Sequence, residues 1–391
     1  MSGADHELKI GVIGCGVVGA AIAYRLSQNP NLTVVVWDQR QPDTWQATGA
    51  ALGVLMAVIS PKLKGKNLQL RLASLQHYQT WLPQLEAQTG MEIPCNHQGI
   101  LQLCFDPEAF IRAQRTQVVR QQQGLRLELL SQTQLHQQYP ELSSAYALET
   151  GAPAIGAIYS PQDLQLDPVV LTQTLIAAAS ANGVQFHWQT PVRSFRTDPQ
   201  AHHITQVATD PAHYEVDWVV LAAGLGATPL TTTLKHSVPI QPVLGQALQL
   251  LRSTPCPYPY PVVNGADIHL VPLSSRHLWV GATVEFPIAD PLIPPAADPA
   301  LLEKVRQQAI ALDLTLADAE ILRSWSGLRP RPQGQAAPII QILPGYDNVI
   351  LAAGHYRNGV LLAPITAEKV HQLVINPDVA GQPPARPIHP S

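Results

Sequence analysis

Gly14, Gly16 and Gly19 are spaced as Gly-x-Gly-x-x-Gly, and Asp38 follows where a ribose needs an acid. The stretch before Gly14 is apolar, Leu8-Lys9-Ile10-Gly11-Val12-Ile13. The one before Asp38 is Leu32-Thr33-Val34-Val35-Val36-Trp37, and residues 20–28 between them read as a helix. Strand, glycine turn, helix, strand and acid within about 30 residues is the unit that binds a dinucleotide. Each part has a physical task. Gly14 lets the chain turn off the strand. Gly16 has no Cβ, so a pyrophosphate can approach the backbone. Gly19 lets helix and strand pack closely. The helix N-terminus, with Val17 and Val18 in its first turn, offers unpaired N–H groups and a partial positive charge to phosphate. The Asp38 carboxylate can accept from ribose hydroxyls. A lone glycine turn is a weak signal; the complete unit is specific.

Other elements must position this turn. The chain has 391 residues, 46% of them hydrophobic and 13% charged, enough for two domains with a sizeable core. The net charge of -4 with no basic block disfavours nucleic acid. Four cysteines, Cys15, Cys95, Cys104 and Cys256, show neither a CxxC nor metal spacing, so no metal site is expected and a reducing compartment fits. The apolar N-terminal run is broken by glycines and lacks a signal-peptide cleavage site. No apolar run reaches the ~18 residues of a membrane span. These features point to a soluble cytoplasmic protein. Many of the 36 prolines cluster late, at 255–261, 287–299 and 383–390, and read as rigid loops and a tail.

Leu68, Leu72, Leu75, Tyr78, Leu82 and Leu85 recur every three or four residues, one face of a long helix that Pro83 should kink. Asp106-Pro107 and Asp167-Pro168 pair an N-cap with a proline at N1, and Ser131 with Gln134 resembles a capping box. Asn182-Gly183 ends the helix that Asp167 starts. Strands are expected at 99–105, 184–188 and 216–222, then at 246–251, 268–271 and 278–282. A helix at about 299–312 precedes a return to a strand at 349–353. Mixed α/β segments thus flank β-rich ones. The expected fold is α/β: a discontinuous Rossmann-like nucleotide domain (1–90, 155–234 and 323–391 with its tail). A β-rich α+β substrate domain is inserted into it twice (91–154 and 235–322).

Five landmarks carry a resemblance. They are the Gly14–Gly19 turn, the small-residue loop 48–55, Trp218 to Gly224, Gly327-Leu328-Arg329-Pro330-Arg331-Pro332, and Gly354-His355-Tyr356-Arg357-Asn358-Gly359-Val360-Leu361-Leu362-Ala363-Pro364. The last two are the specific ones. From Ile10 to about Glu368 the chain resembles the D-amino-acid oxidase and glycine oxidase family of FAD-dependent enzymes. Within it, the chain is most like the glycine oxidases that serve thiazole (thiamine) biosynthesis. The resemblance implies that Thr48, Gly49, Ala50, Ala51, Leu52 and Gly53 run along the pyrophosphate and flavin. Ala222, Ala223 and Gly224 would close a second strand end on the dinucleotide. Gln39, Val192 and Arg329 would join Asp38 in the cofactor set. The 354–361 loop (Gly354, His355, Tyr356, Arg357, Asn358, Gly359, Val360, Leu361) would face the flavin. No histidine precedes Thr48-Gly49 and no cysteine lies near Gly354, so the implied FAD is noncovalent.

The resemblance makes Arg329 the carboxylate clamp of a small amino-acid substrate, glycine, sarcosine or a D-amino acid. Oxidation of its C–N bond by hydride transfer to flavin would give an imine and, with O₂ as acceptor, H₂O₂. Arg357 has two readings, substrate contact or a structural ion pair; Arg331 reads as structural. The chain departs from the family at His269, where glycine oxidases usually carry tyrosine, and at Leu244 and Leu273, where a basic residue is usual. His269 therefore has two readings as well. In one it is a pocket residue whose protonation below neutral pH would favour substrate anions; in the other it is a buried structural histidine. Rival functions are a dehydrogenase with another electron acceptor, an NAD enzyme, and a catalytically silent flavin-binding protein. Substrate side chain, acceptor and a homo-oligomeric state are left open.

Overall fold

The computed structural model describes residues 7–142, 144–198, 202–286 and 295–376. Part of the 287–299 proline run and all of the 383–390 run lie outside the described residues.

The glycine turn begins at the end of strand Leu8–Ile13, which is the hub of a six-stranded sheet. Across that sheet the order is Ile339–Ile342, Val349–Ala353, Trp218–Leu221, Leu8–Ile13, Leu32–Trp37 and Gln185–His187. All neighbours pair in parallel except the first two. The strands are short, β-branched and almost wholly buried, as a sheet covered on both faces requires. Register then decides the chemistry. Ile13 stands opposite both Leu221 and Trp37, and Leu221 opposite Leu351. The residues that follow, Gly14, Ala222, Asp38 and Gly354, therefore gather at the carboxyl edge, where ligands bind in this architecture.

Helices Val17–Ser27, Lys66–Thr89, Pro168–Ala181 and Gly359–Ile375 pack together on one face. The apolar face expected on the second is present: Leu68, Leu75, Tyr78, Leu82 and Leu85 are buried, joined by Leu70 and Trp81. Pro83 lies on the exposed face and the helix continues through it. Pro364, inside the last helix, removes the N–H that the Val360 carbonyl needs. The Tyr78 hydroxyl donates to that carbonyl instead, at 2.5 Å. On the other face a three-stranded antiparallel sheet, Ser194–Asp198, His203–Ala208 and His213–Glu215, covers the core around Trp37, Ile204 and Val219. The predicted caps form. Asp106 accepts from Ala109 N–H at 2.7 Å, Asp167 from Val169 and Val170, and Ser131 with Gln134 makes a complete capping box.

The second body is an eight-stranded sheet. Its order is Glu320–Pro332, Ile240–Leu251, His277–Gly281, Ile268–Pro272, Val262–Gly265, Ile100–Cys104, Gly156–Ser160 and Glu128–Ser131. Helix Pro299–Leu312 packs on it through Leu302, Val305, Ala309 and Leu312. Two expected boundaries shift. Strand Gly156–Ser160 pairs with Ile100–Cys104 and Glu128–Ser131, so it belongs with the eight-stranded sheet and not with the nucleotide-domain segment expected from 155. Strand Glu320–Pro332 crosses the boundary expected at 322 and puts Arg329 in the eight-stranded sheet. As the outermost strand of that sheet, it tolerates Pro330 and Pro332, whose missing N–H groups would break an inner ladder.

Candidate active site

Gly14 has φ +98°, the left-handed region, and a Cβ there would sit 2.7 Å from Ala223 Cα and 2.8 Å from the Ala222 carbonyl. A Cβ on Gly19 would run into the Gly14 carbonyl. Gly16, in contrast, would meet only the Thr48 hydroxyl, at 3.3 Å, on the side open to the cavity. Gly16 is the N-cap of helix Val17–Ser27 and supplies no side-chain cap. The Val17 N–H donates to Thr48 Oγ1 at 3.1 Å. The Asp38 carboxylate is already oriented, accepting from Cys15 N–H at 2.6 Å and Arg40 N–H at 2.9 Å.

A cavity of about 560 Å³ runs from this turn to the eight-stranded sheet. Of the expected cofactor residues it is lined by Gly14, Gly16, Val17, Val18, Asp38, Gln39, Thr48, Ala50, Ala51, Leu52, Gly53 and Val192. Ala222, Ala223, Gly224, Gly354, His355, Tyr356, Arg357, Gly359, Val360 and Leu361 also face it. Gly19, Gly49 and Asn358 do not. Gly19 packs the helix on the turn, and a side chain on Gly49 would strike Trp45. Asn358 is the N-cap of helix Gly359–Ile375 but makes no side-chain cap bond. The His355 imidazole turns into the fold and pairs with Thr366 Oγ1 at 2.9 Å. Two helix N-termini without their own side-chain caps thus point at one cavity. That suits a ligand with a diphosphate and a ring system that becomes anionic on reduction. The residues present fit FAD.

At the far end stands Arg329. Its Nη1 donates to the Leu244 and Thr283 carbonyls, both at 3.0 Å. The guanidinium lies across Gly245, where any Cβ would collide with it. Burial and the charge of Arg357 lower its pKa to about 10, so it stays a cation at neutral pH. Glu285 sits nearby, held by both its oxygens on the Gln246 amide at 3.0 and 2.9 Å. Arg357 also faces the cavity. The ion pair that was one of its two readings is not formed among the described residues; instead its guanidinium stacks 5.5 Å from the centre of the Tyr356 ring. Arg331 stacks on the same ring at 5.5 Å.

His269 lines the cavity, and its Nδ1 is buried with no hydrogen-bond partner. The pocket placement agrees with one of its two readings, but the titration attached to that reading does not. Burial, with Arg357 and Arg329 adding to it, pushes the imidazole down to about 4 from 6.5, so it is neutral where a second cation was expected. His355 is pushed to about 4 by burial alone. A histidine whose folded pKa is depressed adds stability that is complete above its unfolded pKa. That stability is lost as pH falls toward the folded value. We therefore expect the thermal midpoint to drop between pH 6.5 and about 4. We also expect substrate KM to show no His269 titration from about pH 6 to pH 9. A KM inflection near neutrality that disappears in His269→Asn would show a charged imidazole instead.

Arg40, Trp45 and Gly245 also line the cavity and were not anticipated from sequence. Their signal is tertiary: each owes its place to a residue far along the chain or to a stacked neighbour.

A family model for FAD dependent oxidoreductases (DAO) matches residues 9–373. A bifunctional protein ThiO/ThiG of Synechocystis sp. is 34% identical over 379 residues, covering 94% of this chain and 52% of that protein. The chain thus spans about half the length of the bifunctional relatives it matches. A glycine oxidase of Geobacillus kaustophilus is 28% identical over 378 residues, covering 96% of this chain and 95% of that one. The crystal structure of glycine oxidase from Geobacillus kaustophilus superposes with a TM-score of 0.82 at 25% identity, covering 94% of this chain and 95% of that chain. The glycine turn with its acid, the two helix N-termini on one cavity and a match along nearly the whole chain agree, and the chain belongs to the FAD-dependent oxidoreductase (DAO) family.

Proposed function

We propose that this protein oxidises the C–N bond of a small amino acid, glycine, sarcosine or a D-amino acid, and supplies an imine that water hydrolyses. The observation that carries this reading is Arg329. One of its nitrogens is spent on two backbone carbonyls, which aims the rest of the guanidinium fork into the cavity. A planar fork is matched to a carboxylate. Relatives named glycine oxidase along the whole chain length support the same substrate class.

FAD, when bound, accepts the two electrons and the hydrogen of the substrate Cα–H bond. The chain's residues bind and orient. Arg329 fixes the carboxylate and with it the direction of Cα–H. The neutral His269 lines the same cavity and adds no charge beside the Arg329 guanidinium. The N-terminus of helix Gly359–Ile375 faces the cavity and would offer a positive potential to a reduced flavin held there. The reading includes noncovalent FAD, a cytoplasmic location in keeping with four free cysteines, and O₂ or another carrier as final acceptor. No helix among the described residues is long and apolar enough to cross a membrane.

The test is anaerobic. The flavin absorbance of purified protein should bleach with one or more of glycine, sarcosine, D-alanine and D-proline, and recover on admitting air. A holoprotein that none of these bleaches would reject the amino-acid reading. Flavin that stays with acid-precipitated protein would reject noncovalent binding.

A further inference from the structure

Beside Asp38, at the end of the cavity away from Arg329, one guanidinium joins three pieces of chain: residues 38–45, the glycine turn and Trp188. Arg40 Nη1 donates to the carbonyls of Gln41, Pro42 and Thr44, at 3.0, 2.6 and 3.0 Å. Its Nη2 donates to the Cys15 carbonyl, inside the glycine turn, at 2.9 Å. Its backbone N–H holds one oxygen of Asp38, and its Nε lies 3.5 Å from the other. The guanidinium is also stacked between two indoles, 4.3 Å from the Trp45 ring centre and 4.6 Å from that of Trp188. Phe186 extends the stack, parallel to Trp188 at 5.8 Å. The Arg40 side chain is only 7% exposed although it sits on a surface loop. That Nε is buried with no hydrogen bond of its own and is turned toward the acid.

We propose that Arg40, clasped by Trp45 and Trp188, is the positioning residue that preforms the adenosine end of the FAD site. Free strand ends and glycine turns are mobile, and a ligand that must order them binds more weakly. Here the ordering is built in. The fork locks the 41–44 segment against the Gly14-Cys15-Gly16 turn, and the two indoles keep water from the fork, which strengthens each of its bonds. Asp38, already held by Cys15 and Arg40 N–H groups, meets the ribose in a single orientation. Lysine cannot reproduce the arrangement, because one ammonium cannot reach carbonyls on both sides of the stack while lying flat between two rings. The effect is confined to ligands that carry adenosine. This inference rests on the FAD assignment and not on the substrate.

The experiment uses flavin-stripped full-length protein titrated with FAD and separately with ADP, which contains the adenosine diphosphate half alone. In Arg40→Met and Arg40→Lys the dissociation constants for both ligands should rise by roughly tenfold or more. The thermal midpoint of the apoprotein should fall in Arg40→Lys as well, because the lost fork leaves loop and turn carbonyls unpaired, so the titrations are run where every apoprotein is folded. Trp45→Leu, which leaves the arginine's hydrogen bonds in place, should weaken both ligands by a smaller factor. Parental ADP affinity in Arg40→Lys would overturn the proposal, because charge alone would then suffice. So would FAD weakened with ADP unchanged. If Arg40→Met does not fold, Arg40→Lys and Trp45→Leu decide the matter on the same criteria. If parental protein binds FAD and ADP yet no amino acid bleaches it, the substrate reading fails and this one stands.

Discussion

Arg329→Leu raises the KM for carboxylate substrates by the worth of a desolvated charge-assisted clamp, about 2–5 kcal/mol, or roughly thirty-fold to several thousand-fold. The flavin spectrum should stay near parental, because Arg329 is not among the groups at the glycine turn that would hold the cofactor's phosphates and ribose. Arg329→Lys should recover only part of the loss: an ammonium can reach one carboxylate oxygen but cannot offer the fork. Gly245→Ala tests the same geometry without touching the charge. Its new Cβ must displace the guanidinium, so KM should rise although arginine is retained. Steady-state KM on the best substrate, with absorbance spectra of each variant, decides between the outcomes. An Arg329→Leu enzyme that turns over substrate with parental KM would remove the carboxylate clamp from this site.

Asp163→Ala should be the most destabilising single change outside the cavity, by about 3–5 kcal/mol, a large share of the ~5–15 kcal/mol that holds a typical domain folded. Asp163 is fully buried and accepts three backbone N–H groups, from Ala57, Val58 and Ile59, at 2.8, 2.9 and 2.7 Å. Burial pushes its pKa up, while those three bonds and the Ser160 hydroxyl pull against that rise. Arg120 ties the same segment from outside, donating to the Val58, Ser60 and Lys62 carbonyls. Removing the carboxylate strands three donors and leaves the buried arginine without its counter-charge. Asp163→Asn should cost less, because its carbonyl oxygen still serves Ala57 and Val58, but Ile59 then faces an N–H₂ group. Since segment 56–62 continues from the loop that lines the cavity at Thr48 to Val54, FAD retention should fall together with the thermal midpoint. Denaturation of both variants, with and without added FAD, is the measurement. An Asp163→Ala protein as stable as the parent would mean that water replaces the carboxylate at no cost.

Much of this protein is written locally. The Gly14–Gly19 turn, the acid after the second strand and the capped starts at Asp106, Ser131 and Asp167 depend on neighbours a few residues apart. Local sterics and hydrogen bonding suffice to specify them. The order of five landmarks likewise carried the FAD family and, with the departure at His269, pointed to Arg329 and His269, both of which line the cavity. Non-local pairing decided the rest. Strand Glu320–Pro332 was hidden because two prolines in Gly327 to Pro332 argue against a strand, and only its outer position in the sheet makes them compatible with one. The sheet of Ser194–Asp198, His203–Ala208 and His213–Glu215 was hidden because its strands are short and half exposed. Gly245 was one glycine among many until strand pairing set Val243 opposite Arg329 and laid the guanidinium over it. The charge of His269 was the clearest limit. Residue type supplies an imidazole that titrates near neutrality, but burial and two guanidiniums from distant segments lower its pKa. Sequence determined which groups this site has, because motifs and caps are short-range. Tertiary structure decided which of them are neutral, oriented or clasped, because desolvation and stacking depend on what distant segments bring into contact.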